Sequence, residues 1–555
     1  MAPRRLAHAA VAVAALLTPL FAPAQEGDKV DLATLAQIKA EAFDHSQVME
    51  HLFYISEVYG PRVNNSRNHR AAAEWAMKQM KEWGMKNVHL ETFPFGNGWQ
   101  IKKFYGAMET PAYAALIGFP LAWTPGTDGA ISAEPVYAPI HSKADFDKYR
   151  GKLKGKAVLM FDPPTLRLHT TPDAMPSPSD EEILARAAAG GNGYGPPPRP
   201  AGAPGTPAAN RDASGRGRGG EGTYDYTPTS LALSGPKGQV LRNEVAAFMK
   251  AEGAAIVLTP GYNGDAGTIF SSYGGSQNPN DPVPPPIVAI TPEQYNRVVR
   301  LLQHNITPKL TFDIQVEYQR DAQNSINVIG EIPGTTKPEE VVMLGGHFDS
   351  WQGGTGATDN GTGSSVAMEA ARILTTLHKP MARTVRVALW GGEEEGLYGS
   401  LAYVQRHFAP RDTMKKTPEY DKLDVYYNDD GGSGRFRGVN ALGNAQLVAI
   451  FKSWIEPIKD QHIVAVTGGT TPRPTTAPGG TDSTSFSWIG LDGIGFQQDP
   501  LEYGTRTHHS NADLYDRVQK DDVMQGSMVE AWFAYNSATR ADMLPRNPSP
   551  EPTAK

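Results

Sequence analysis

Residues 340–350 read EVVMLGGHFDS, a β-forming apolar run that ends on His347 and Asp349. The same arrangement recurs further along the chain. Residues 384–390 (TVRVALW), 422–427 (KLDVYY) and 493–496 (GIGF) read as further strands, and 364–377 and 397–407 as helices between them. Strand alternating with helix predicts an α/β architecture, a mixed and mostly parallel sheet flanked by helices. In open sheets of this type, ligand sites lie beyond the carboxyl ends of the strands. The residues found there are ionisable. His347-Phe348-Asp349 follows the first strand, Glu393-Glu394-Glu395 the second, Asn428-Asp429-Asp430 the third, and His508-His509-Ser510 the last. Asp359-Asn360-Gly361 lies between the first strand and its helix.

Carboxylates gathered at one sheet edge repel one another unless protons or cations compensate. A mixed set of His, Asp and Glu suits zinc, with cobalt or manganese as alternatives. Two divalent ions about 3.5–4 Å apart, bridged by one carboxylate, would neutralise such a set and activate a water. The bland alternative is surface acids capping helices and histidines satisfied in a core. It explains any one of these residues well, and four successive strand ends poorly.

The rest of the chain narrows the setting. At 555 residues it is too long for one core, and 40% hydrophobic with 20% charged residues is a globular composition. The net charge of -7 gives no electrostatic footprint for nucleic acid. With no cysteine, disulfides, thiolate metal sites and a cysteine nucleophile are excluded, so His, Asp and Glu must hold any metal. Residues 1–24 read as a signal peptide. Arg4 and Arg5 precede an apolar stretch, and Ala22-Pro23-Ala24 offers small residues at a cleavage site. An uncleaved anchor is the alternative, set against by the shortness of the stretch and by His8 and Pro19 within it. Secreted or periplasmic location, without stable membrane insertion after cleavage, is the expectation.

Residues 32–83 carry helical periodicity, with a strand at 88–92 behind them, and 25–129 are expected to form the first part of the main domain. From 130 to 322 short β runs such as 157–161, 254–258, 286–290 and 310–314 mark an inserted α+β unit. Inside it, 176–221 is dense in Gly, Pro, Ala and Arg and is expected to be a flexible loop. Its arginines without interleaved aromatics argue for a solvated loop over an RNA-binding one. The second part of the main domain spans 323–545, and 546–555 is expected to be a disordered tail.

Gly345-Gly346-His347-Phe348-Asp349-Ser350, Asp359-Asn360-Gly361, Glu393-Glu394-Glu395-Gly396-Leu397-Tyr398-Gly399-Ser400, Asn428-Asp429-Asp430 and His509-Ser510-Asn511-Ala512-Asp513 together resemble peptidase family M28. That family holds zinc aminopeptidases and glutamate carboxypeptidases, and the chain is most similar to its plasma glutamate carboxypeptidase branch. The likeness extends to Gly60-Pro61-Arg62 and Arg70-Ala71-Ala72. It implies the zinc exopeptidase fold with an inserted protease-associated domain, a peptide substrate and two zinc ions; whether the inserted domain lids the cleft, mediates a homodimer or does neither stays open. Position by position, it implies Asp359 as the bridge between the ions. His347 and Asp430 would complete one ion, Glu394 and His509 the other. Glu393 would be the general base, passing a proton from the activated water to the leaving amine. Asp349 would fix the tautomer of His347. The pattern also implies a cis peptide after Asp359, and leaves Glu395 outside the set.

There are departures. Asn360 stands where many members have a second Asp, and His508 where some branches have a Tyr that stabilises the oxyanion; His508 is a donor for that oxygen or a structural loop residue. Thr481-Asp482 resembles a Ser-Asp motif that shapes the site without binding metal. A G-x-S-x-G serine hydrolase and an H-E-x-x-H protease find no motif here. A binding or receptor-like protein on the same fold and a mononuclear glutaminyl-cyclase-like relative are the competing readings, set against by the full ligand set. Which terminus is trimmed stays open: an α-amine needs acids and an α-carboxylate needs Arg or Lys, and Asp429, Arg435, Arg437 and Arg506 all lie near ligands in sequence.

Overall fold

The structure, a computed structural model, describes residues 28–166, 173–188, 226–468 and 479–553. The expected signal peptide and most of the Gly/Pro/Arg-rich tract lie outside the described residues. The main element is an eight-stranded sheet. At its heart, Arg383–Trp390, Lys337–His347, Leu423–Asn428 and Gly493–Gln498 run parallel in that spatial order. Lys86–Pro94 and Asn324–Ile332 extend one side in antiparallel fashion. Phe436–Asn440 and Ala465–Thr467 extend the other. Strands covered on both faces read as continuous apolar runs rather than alternating ones. Val341 to His347 is accordingly buried at every position.

Two helices seal one face. Thr362–Thr376 is buried continuously from Thr362 to Leu374, and Lys520–Thr539, which packs on it, from Val523 to Ala538. Val366, Ala370 and Ile373 share a core with Met528, Trp532 and Phe533. Each fully buried aliphatic side chain contributes roughly 1.5–3 kcal/mol. The helical periodicity of 32–83 resolves into separate helices, Leu32–Asp44, Val48–Leu52 and Arg67–Glu82, with a π-helical stretch Phe53–Val58. Between them the cis Gly60–Pro61 peptide turns the chain, and Ser66 caps the last helix by accepting from the His69 amide.

Pro94 pairs with Asn324, and the Phe95 amide donates to the Gln323 carbonyl at 3.0 Å. The chain thus leaves the large sheet and re-enters it at one point. The described residues between 95 and 323 belong to an excursion, and the expected boundary at 130 falls inside it. The long strand Gly98–Thr110, expected in the main domain, instead pairs with Lys309–Gln319 in a four-stranded sheet. A five-stranded sheet follows, with Ala157–Leu159, Ile256–Thr259 and Ile287–Ile290 at its centre and helices Gly235–Ala251 and Pro292–Gln303 in the same region of the chain.

Two expectations of disorder are corrected. Within 176–221, Asp180–Ala188 is a helix with three acids in its first turn and Arg186 in its last. Asp180 reaches across to Arg437 at 2.6 Å. The tail is docked through residue 551: Arg546 donates to the Tyr420 carbonyl, Asn547 to the Leu442 carbonyl, and Arg411 to the Glu551 carbonyl. Polar side chains bonding to main chain hold these segments without the apolar runs that a composition reading looks for.

Candidate metal centre

The parallel strands deliver their polar ends to one place. His347 closes the strand Lys337–His347, Glu393 and Glu394 follow Arg383–Trp390, and Asp430 follows Leu423–Asn428. Close approach there requires glycine: a Cβ on Gly363 would sit 2.2 Å from the Asp429 carbonyl oxygen. Asp359 enters from the loop before the helix Thr362–Thr376, and the Asp359–Asn360 peptide is cis, as the family pattern implies. Asn360 does its work as a neutral amide, donating to the Asp429 carbonyl at 2.7 Å and accepting from the Gly363 amide at 2.9 Å.

Asp359 is the centre of the arrangement. His347 Nε2 lies 3.3 Å from both Asp359 Oδ1 and Asp430 Oδ1. On the other carboxylate oxygen, His509 Nε2 lies 3.4 Å from Asp359 Oδ2 and 2.8 Å from Glu394 Oε2. The two oxygens of one carboxylate therefore face two different donor sets. His347, Asp359 and Glu394 each offer a ligand atom within 4.8 Å of the others, and so do Asp359, His508 and His509.

Asp359 Oδ2 and Glu394 Oε1 are buried and make no hydrogen bond among the described residues. Buried carboxylate oxygens without donors, in a cluster that also holds imidazole nitrogens, suit a cation. The donor set of two His and three acids fits zinc, and this chain's residues pass that test.

The electrostatics agree. Burial pushes Glu393 and Glu394 well above the usual carboxylate range, and the charge of Asp430 adds to this for Glu393, that of Asp359 for Glu394. Burial also opposes the Asp359 charge, but His508, His347 and His509 outweigh it and hold that carboxyl low. Burial alone would lower His347, yet Asp430, Asp349 and Asp359 raise it well above its ordinary value. In the absence of a cation, the cluster must hold protons. A divalent ion substitutes for them.

The strand-end residues expected in the site are all brought together, with two changes of detail. His347 Nδ1 bonds at 3.1 Å to the main-chain carbonyl of Asp349, while the Asp349 carboxylate is 3.7 Å away. That carboxylate instead accepts from the amides of Glu393 and Glu394 at 3.2 and 3.3 Å. Asp349 thus fixes the imidazole through its carbonyl and the glutamate turn through its side chain. Glu395, expected outside the metal set, is buried beside Asp349, and burial together with that charge raises its carboxyl. Glu393 is only half-buried, the most open of the three glutamates.

His508 stacks on His509 at 3.8 Å between ring centres, with Nε2 3.8 Å from Asp359 Oδ2. Burial and its neighbour His509 lower it to about 4.

Sequence reasoning missed Tyr503, whose hydroxyl donates to Asp359 Oδ1 at 2.9 Å. Burial and the Asp359 charge raise that phenol well above 10, so it keeps its proton. Asp482, expected to shape the site without binding metal, is buried, and its charge is among those that raise Glu393. The arginines near the ligands all have partners: Arg435 with Asp522, Arg437 with Asp499 and Asp180, and Arg506 with Asp173. Asp429 is buried at 1% exposure.

Residues 327–531 match the profile of peptidase family M28. Human carboxypeptidase Q is 27% identical over 281 residues, covering 50% of this chain and 56% of that protein. A probable leucine aminopeptidase 2 from Aspergillus oryzae is 24% identical over 311 residues, 54% of this chain and 60% of the relative. The matched part thus spans little more than half the length of these relatives. Among solved structures, a peptidase M28 precursor from Shewanella amazonensis superposes with a TM-score of 0.62 at 20% identity, covering 94% of this chain and 98% of that one. A zinc aminopeptidase from Bacillus subtilis gives 0.50 at 18% identity, covering 88% and 93%. At these identities the two structures speak to the fold.

Proposed function

We propose that this chain, a member of peptidase family M28 by its residues 327–531, is an exported dinuclear zinc exopeptidase that hydrolyses peptide bonds near a chain terminus. The observation that carries the reading is Asp359, whose two oxygens face two donor sets, His347 with Asp430 and His509 with Glu394. Zinc bound there supplies a Lewis acid for the scissile carbonyl and acidifies a water. Glu393, half-buried next to Glu394, would take a proton from the attacking water and hand it to the leaving amine. Asp349 holds the Glu393–Glu394 turn through two amides, so the base and its neighbouring ligand keep a fixed relation. Tyr503 donates to Asp359 Oδ1 and keeps that oxygen's orientation.

The excursion 95–323 is read as the protease-associated insertion, supported by its departure and return at the Pro94–Asn324 pair. Export rests on the apolar N-terminal stretch; among the described residues no helix is long and apolar enough to cross a membrane. With Arg435, Arg437 and Arg506 already paired, an α-carboxylate bound by any of these three would have to displace an acidic partner. The test is a peptide-library digest by purified protein, scored for which end shortens, beside a count of zinc. Two zinc per chain and loss of one residue at a time are expected. Internal cleavage, or an Asp359→Ala variant that still binds two zinc equivalents, would sink the reading.

A further inference from the structure

Two of the five donors do not come from strand ends: Asp359 precedes helix Thr362–Thr376, and His509 lies far in sequence from any strand of the large sheet. His509 lies in a loop, and it adopts a left-handed backbone conformation, φ 60°, which a side-chain-bearing residue keeps only where its surroundings hold it. What holds it comes from the excursion. Phe270 pairs with Ser510 in an antiparallel bridge, and the Ser271 amide donates to the His509 carbonyl at 3.2 Å. Next to that bridge, Asn511 supplies three bonds to the same segment. Its amide donates to the Ile269 carbonyl at 3.3 Å, its Oδ1 accepts from the Ile269 amide at 2.7 Å, and its Nδ2 donates to the Gly267 carbonyl at 3.0 Å. The carboxamide side chain thus acts as one more strand residue, offering an acceptor and a donor at ladder spacing. Arg506 adds a bond from Nη1 to Thr268 Oγ1 at 2.7 Å. From the inner side, Trp351 sets its edge against the His509 ring and packs on Tyr273.

We infer that Asn511, clamped to residues 267–271 of the excursion, is a positioning residue for His509, so that the inserted region forms part of the metal centre. This rests on the reading of His509 as a metal ligand. It has an asymmetric consequence. His347 and Asp430 sit at the ends of paired parallel strands and owe nothing to Asn511. Loosening the clamp therefore weakens the ion held by His509 and Glu394 and leaves the other alone. Partners behind metal ligands are worth 10–100-fold in affinity when removed.

The experiment uses the full chain and zinc with a competing chromophoric chelator, together with hydrogen exchange resolved to the Ile269 amide. Wild type is expected to release two zinc equivalents. In Asn511→Ala one equivalent should bind about tenfold or more weaker, with the other within twofold of wild type, and Ile269 should exchange faster while helix Thr362–Thr376 is unchanged. Asn511→Asp, which keeps the Oδ1 acceptor and loses the donor, should fall between the two and guards against a misfolded alanine variant. Equal weakening of both equivalents, or unchanged affinities beside a loosened Ile269 amide, overturns the inference while leaving the two-ion reading intact. A wild type that takes up fewer than two equivalents overturns both.

Discussion

By the way they are held, the residues of the candidate metal centre fall into two halves, strand-end and loop. His347, Glu394 and Asp430 stand at the carboxyl ends of adjacent parallel strands, where ladder hydrogen bonds and a core on both faces fix the main chain. His509 stands on an irregular loop and is fixed by a bridge to a segment more than 200 residues earlier in the chain. The first half inherits its geometry from the sheet. The second borrows it from a neighbour. Rigid elements hold a site better than loops do, so a loop ligand needs external support to match a strand-end one.

The sharpest way to break this picture is at the base. Glu393→Gln should retain both zinc equivalents and lose about 10²–10⁴-fold in kcat, the range of a general base. Near-normal turnover by the zinc-loaded variant would remove Glu393 from its role and with it the functional meaning of the strand-end half.

A smaller effect sharpens the comparison on the sheet side alone. Glu369, on helix Thr362–Thr376, is fully buried and accepts from His51, the Gln47 amide and two nitrogens of Arg372. Burial raises its carboxyl, but His51 and Arg372 outweigh this and hold it at about 2 against an ordinary 4.5. A carboxyl lowered on folding stabilises fully above its unfolded value, and the contribution fades as pH falls from about 4.5 toward 2. That lowering corresponds to roughly 3 kcal/mol. Glu369→Gln should cost about that much near pH 7 and much less near pH 2.5, read from denaturant midpoints. A loss independent of pH would assign the residue to packing alone.

Smallest is the change at the junction of the halves. Tyr503→Phe removes one hydrogen bond to Asp359 and should lower kcat about tenfold with little change in KM, since a bond to a charged group is worth about 1.5–3 kcal/mol and a water can take part of it over. A rise in KM with kcat intact would place the hydroxyl on the substrate instead.

The same contrast decides what could be read from the sequence. Strand-end acids and His347 were legible because each follows a β-rich apolar run, and sheet topology then gathers them. The clamp on His509 was not: nothing local to Asn511 names residues 267–269 as its partner. The strand Gly98–Thr110 was lost for a related reason, since its partner Lys309–Gln319 lies about 200 residues away and pairing, not composition, decides its sheet. Helix Lys520–Thr539 offered no amphipathic stripe, because it is buried on every side from Val523 to Ala538. Asp180–Ala188 carried helix-end charges that were overshadowed by the surrounding Gly and Pro.

The Pro94–Asn324 pair makes the excursion look detachable. A short turn joining those two residues would close a hairpin and restore an uninterrupted sheet. Excision at that pair would also remove residues 267–271 and their bonds to Ser510 and Asn511, so a segment modular in its wiring carries the contacts that hold the His509 loop.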